Sequence, residues 1–169
     1  MAFTPRLNSD GMLNNPWWYS SGNIFYASGY GLPNCTCYSY GRYAEIRNGF
    51  AALPTGNGGE WFTSATAFQR GQDPALGAVA CWASRSGSYD GHVAIVEVIN
   101  NDGSIITSNS AYGGTYFWTE TLTPQSGYCS SWMVTNRDYY LQGFIYNDAI
   151  PLPTAKKKGM PLWMMLWWY

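Results

Sequence analysis

The sequence predicts an α+β domain, with helices first and a mostly antiparallel sheet after them. Three observations carry this. After Cys35 the aromatic and apolar positions recur at helical spacing. From Gly77 onward the period drops to two. Asn100-Asn101-Asp102-Gly103 then separates two apolar runs, the pattern of a hairpin turn.

Residues 1–34 are rich in Asn, Ser, Gly, Pro, Tyr and Trp and read as extended loop. Asn34 suits an N-cap, and Tyr38, Arg42, Tyr43, Glu45 and Ile46 follow on a helix over 35–49, closed by Gly49 as the residue after the cap. Leu53 to Gly59 is a turn-rich loop, and Trp61 to Gln69 reads as a second short helix ended by Gly71 and Pro74. Strands are expected at Ala78–Trp82, His92–Ile99, Ser104–Asn109, Thr115–Leu122 and Leu141–Tyr146. Composition then shifts. Pro151 to Ala155 reads as a linker, followed by Lys156-Lys157-Lys158 and an apolar, Trp-rich end from Met160 to Tyr169. The expected division is a domain over 1–147 and a linker and tail over 148–169. The tail is too short to span a bilayer. Its basic cluster beside Trp and Leu fits contact with a membrane interface. The plainer reading is a linker, or a stub that packs on the domain or on a neighbour.

Of the 169 residues 46% are hydrophobic and only 11% charged, so Ser, Thr, Asn, Gly and Tyr must supply much of the polar surface. A net charge of −1 leaves no basic footprint for nucleic acid. The aromatic share of 18% fits β-propensity and packing, or a surface that stacks on sugars and peptides. The start, Met1 to Arg6, has no apolar stretch of the signal-peptide kind, so synthesis and retention in a cytoplasm until release are expected. The cysteines at 35, 37, 81 and 129 do not have zinc-pair spacing, and four free thiols are expected.

His92 is the sole histidine, and it heads an apolar strand. Cys35 stands at a helix N-terminus, where the helix dipole and unpaired N–H groups favour a thiolate. Cys37 lies about 200° around the helix, so only one of the two can face a given site. Asn109 enters through hairpin parity. A four-residue loop at 100–103 pairs Ile99 with Ser104 and brings Asn109 opposite Ala94, on the face of His92 and within side-chain reach. A two-residue Asp-Gly turn would move it opposite Val96, too far away. In this reading Asn109 accepts Nδ1–H of His92 and leaves Nε2 for the thiol. Glu97 falls on the opposite face, and Asp90, in the preceding turn, is the weaker candidate for the orienting role. The plainer readings are buried core cysteines, a core histidine bonded to backbone and a turn asparagine.

These residues resemble a family. Pro33 to Arg42, Leu76 to Trp82, Gly91 to Glu97 and Thr107 to Gly114 look like a CHAP domain (cysteine, histidine-dependent amidohydrolase/peptidase) of the kind found in bacteriophage endolysins. The resemblance spans roughly residues 3–146. It implies a papain-like fold with about five or six strands, and cleavage of peptidoglycan as an N-acetylmuramoyl-L-alanine amidase or a peptide endopeptidase. It makes Cys35 the nucleophile and His92 the base, with Asn109 where the family has Glu, Asp or Asn. Candidate substrate contacts are Tyr30, Asn34, Trp82 and Tyr112. Some members bind calcium in an acidic loop before the cysteine. Between Asp10 and Cys35 this chain has no carboxylate, so neither calcium nor any other cofactor is expected. A monomer acting on bacterial peptidoglycan is expected. The rival readings are a non-catalytic wall-binding module, and a bacteriocin-like or virion-associated hydrolase.

Overall fold

Asparagine side chains set the starts of the helices. Asn15 accepts from the Trp17 amide ahead of α1 (Pro16–Tyr19), and Asn23 caps α2 (Ile24–Ala27). Asn34 accepts from the amides of Thr36 and Cys37 at the head of α3 (Cys35–Arg47). The computed structural model describes residues 3–88 and 90–152. The expected tail at 156–169 lies outside them. The segment read as extended loop thus carries two single-turn helices. Helix α3 ends at Arg47 with Asn48 as its cap, as the placing of Gly49 after the cap requires, but Asn48 rather than Gly49 takes the left-handed conformation, at φ 56°. Asparagine tolerates that region better than other residues with a Cβ. The expected second helix shrinks to one turn, α4 (Trp61–Ser64).

The sheet has six antiparallel strands in the order β1-β6-β2-β3-β4-β5. They are β1 (Arg70–Gly71), β2 (Val79–Ser84), β3 (Gly91–Ile99), β4 (Ile105–Asn109), β5 (Trp118–Leu122) and β6 (Tyr139–Ile145). The α+β architecture read from the sequence is the one observed. It is not a simple meander, since β6 returns across the sheet to pair with β2.

Central strands β2 and β3 are buried on both faces, which is why they read as nearly continuous apolar runs. Val79, Cys81, Val93 and Ile95 face the helices and pack with Cys37, Tyr38 and Tyr43 of α3. Ala80, Trp82, Ala94 and Val96 face the other way and pack with Met133, Phe144 and Leu122. The second face is covered by the segment between β5 and β6, to which the sequence reading assigned no element. That segment includes a π-helical turn at Trp132–Asn136.

The hairpin joining β3 and β4 closes differently from the expectation. Asn100 N–H donates to Ser104 O at 2.8 Å, so only residues 101–103 lie beyond the last pair. Ile99 therefore pairs with Ile105 rather than Ser104. Further along, the register slips between Val96 and Val98, and Ile95 pairs with Ser108. Glu97 is the extra residue of this β-bulge. The bulge cancels the offset of the tip, and Asn109 reaches the level of Ala94 after all.

Candidate active site

Helix α3 lies on the first face of the sheet with its N-terminus at the His92 end of β3. The backbone N–H groups of Val93, Thr36 and Cys35 itself lie near enough to the Cys35 sulfur to favour its anion. The helix is fixed there through its cap. Asn34 N–H donates to Ser110 Oγ at 3.0 Å, tying the cap to the residue that follows β4. Asn34 Oδ1 also accepts from Thr36 Oγ1 at 2.7 Å. Cys35 lines a cleft of about 770 Å³, and Cys37 is fully buried behind it.

His92 lies on the second face, 4% exposed at the cleft wall. Its Nε2 is 3.0 Å from Asn109 Oδ1. Asn109 Nδ2 donates to Thr107 O and Thr107 Oγ1, at 3.2 and 3.1 Å. A backbone carbonyl can only accept, so these contacts fix the amide orientation and present Oδ1 to the ring. Nε2 must then carry the proton, and Nδ1 is left as the basic nitrogen. The sequence reading had the two nitrogens the other way round, because parity shows which face a ring occupies and not how it turns. Asp90 lines the cleft without bonding the ring, and Glu97 points away from His92 toward Arg42, as parity predicts.

Three indoles surround His92. Trp118 stacks on it at 5.8 Å between centroids, Trp132 meets it edge-on at 5.3 Å, and Trp82 lies at 5.8 Å. Burial pulls the imidazole down to about 4, with the Asn109 bond opposing the shift. Burial likewise pushes the Cys35 thiol up, while the N–H groups of Val93, Thr36 and Cys35 pull it down. The thiolate expected from the helix terminus alone is therefore not the resting form, since desolvation outweighs those N–H groups. Among the described residues no hydrogen bond joins Cys35 to the His92 ring.

Tyr30 and Tyr112 line the cleft, 55% and 72% exposed. Asn34 also lines it, but its side chain is committed to the helix cap. Trp82 is a correction. It is fully buried against the His92 ring with its indole N–H on Tyr128 O, and does not line the cleft. Sequence reasoning missed Trp118, Trp132, Arg137 and Tyr139. Trp118 could have been found by extending parity one strand further, because it pairs with Asn109. Arg137 and Tyr139 line the cleft from the segment that carried no periodicity to read. Among the described residues no group of His, Cys, Asp and Glu is arranged to hold a metal ion.

The CHAP domain family matches residues 25–111, just over half of the chain. The chain belongs to the CHAP domain family. The match spans Cys35, His92 and Asn109 and stops short of Trp118 and Trp132. Among similar proteins, a "Putative hydrolase" of Streptococcus mutans serotype c is 42% identical over 59 residues, 34% of this chain. A "Probable autolysin LDP" of Staphylococcus aureus is 33% identical over 87 residues, 50% of this chain. This chain spans only 26% and 30% of the lengths of those two relatives. A solved N-acetylmuramoyl-L-alanine amidase from Staphylococcus aureus aligns at a TM-score of 0.47 and 25% identity, covering 66% of this chain and 31% of that one.

Proposed function

We propose that this CHAP domain hydrolyses an amide bond of bacterial peptidoglycan, with Cys35 as nucleophile, His92 as base and Asn109 as the group that orients the base. The observation that carries the reading is the Nε2–Asn109 bond at 3.0 Å, which leaves Nδ1 unprotonated on a ring that lines the same cleft as Cys35. The similarity to a probable autolysin supports a wall substrate.

The resting pair is neutral. Nδ1 takes the thiol proton as sulfur attacks the amide carbonyl, and N–H groups at the head of α3 stabilise the oxyanion. The imidazolium gives its proton to the leaving amine. Water, deprotonated by the same nitrogen, then releases the acyl group from sulfur. Tyr30 and Tyr112 offer exposed rings for stacking on sugar or peptide. The resemblance to endolysin domains supports a monomeric phage enzyme that meets the wall after release from the host cytoplasm.

Digestion of purified peptidoglycan, followed by mass spectrometry, tests the proposal. New amino termini on intact stem peptides indicate an amidase, and cut stems or cross-bridges an endopeptidase. Solubilisation should vanish in Cys35→Ser. Binding to walls without cleavage by the unaltered chain would overturn it in favour of a wall-binding module.

A further inference from the structure

We infer that Glu97, held by Arg42, is a positioning residue: its bulge sets the strand register that brings Asn109 onto the face of His92. The inference rests on the reading of those two side chains as base and orienting group.

The argument is one of parity. At the hairpin tip Ile99 pairs with Ile105. Carried straight along the strands, that register would set Asn109 opposite Ile95. Paired residues share a face, so Asn109 would point at the helices with Ile95 and Val93, away from His92. The observed pairing beyond the bulge is Ile95 with Ser108, which returns Asn109 to the face of His92. The single extra residue at position 97 makes this difference.

The side chain of that residue is built in rather than left over. Glu97 is fully buried. Oε1 accepts from Arg42 Nε at 2.9 Å and from Ser108 Oγ at 2.7 Å. Oε2 accepts from Arg42 Nη2 and from the backbone N–H of Arg6, each at 2.9 Å. These donors come from α3, from β4 and from the N-terminal segment. Ser108 Oγ in turn accepts from Tyr38 of α3 at 2.8 Å. The bulge is thus fastened both to the helix that carries Cys35 and to the residue before Asn109. A carboxylate there ties the register to the helix position, so both halves of the site are set by one ion pair.

The lone histidine makes the test direct. Its hydrogen-bonded Nε2–H should give one downfield proton resonance that no other histidine can supply. The apolar double variant Arg42→Met with Glu97→Leu removes the pair while filling its volume, a replacement that buried ion pairs often tolerate. It should keep a cooperative unfolding transition, lose the resonance, and lower peptidoglycan hydrolysis about tenfold, or roughly 1.4 kcal/mol. The polar pair Arg42→Gln with Glu97→Gln keeps hydrogen bonds and should restore the resonance. If the apolar variant folds and retains resonance and activity, the inference is overturned. If it does not fold, Ser108→Ala decides. Loss of its contact should weaken or shift the resonance, and an unchanged signal overturns the inference. The resonance is read without substrate, so an inactive unaltered protein would sink the proposed function and leave this test standing.

Discussion

The two ends of β3 bury ionisable groups in opposite ways. At one end Glu97 is paired with Arg42 and saturated, with Arg42, Ser108 and Arg6 meeting its oxygens. At the other end His92 lies among three indoles with Asn109 as its one polar partner among the described residues, and burial keeps it neutral. Low dielectric penalises an unpaired charge, so a buried group either finds counter-charges or stays uncharged. A saturated carboxylate has no lone pair to offer a substrate. A neutral imidazole with one nitrogen committed has one to offer. In the proposed mechanism the contrast separates a group that fixes geometry from a group that moves a proton, five positions apart on one strand.

The largest way to sharpen this contrast lies outside the strand. Cys35→Ala should abolish hydrolysis, a loss of at least ~10³-fold or about 4 kcal/mol of transition-state stabilisation, with the unfolding midpoint nearly unchanged. Turbidity clearing of cell walls measures the first and urea titration the second. Breaking the saturated end is next. Glu97→Leu alone strands the Arg42 guanidinium in the interior, where Glu45 at 2.6 Å remains its other anion. A stability loss of about 3 kcal/mol is expected, at the lower end for a broken buried pair, and a variant of unchanged stability would refute the saturation argument.

The neutral end should announce itself through pH. Folding lowers His92 from 6.5 to about 4, so between these values the unfolded chain binds the proton and the native one does not. The contribution is fully present above pH 6.5 and is lost as pH falls toward 4, by roughly 3 kcal/mol at 1.36 kcal/mol per unit. Urea unfolding of His92→Gln across this range should show a flatter pH dependence than the unaltered chain. Parallel curves would mean that the ring is not held neutral by burial. The smallest effect is expected from Asn109→Ala. It removes the orienting acceptor and leaves the indoles in place, so kcat should fall about tenfold, by roughly 1.4 kcal/mol. An unchanged kcat would remove Asn109 from the mechanism.

What the sequence disclosed depends on the range of the interaction that decides each feature. The Asn34 cap and the placing of Cys35 rather than Cys37 at the cleft rest on neighbours within one helical turn and were legible. The pairing of His92 with Asn109 was also legible, although the two local details behind it were not. The tip was read one residue too long and the Glu97 bulge was missed, and the two offsets cancel. A bulge of this kind is stabilised by Arg42 and Arg6, far away in sequence, and leaves no periodic trace. The same distance hid the return of β6 to β2 and the approach of Trp132 to His92. Trp82 was taken for a surface ring because a strand buried on both faces has no polar alternation to show which side is wet. The left-handed turn at Asn48 was assigned to its glycine neighbour on propensity, where backbone closure onto Ala44 O decided otherwise.

Gly91, just before the histidine, governs how this cleft can breathe. A Cβ at Gly91 would lie 2.2 Å from the Gly59 nitrogen and 2.3 Å from Trp82 O. The wall formed by residues 55–60 therefore rests backbone to backbone on β3, with no side chain between them to act as a cushion. That rim cannot swing independently of the strand that carries His92. Admission of the proposed polymer substrate then falls to the lip where Ala111 and the exposed Tyr112 sit on a short turn after β4. Amide hydrogen exchange should be slow at Gly58 to Glu60 and fast at Tyr112 to Gly114, the signature of a jaw with one fixed side and one moving side.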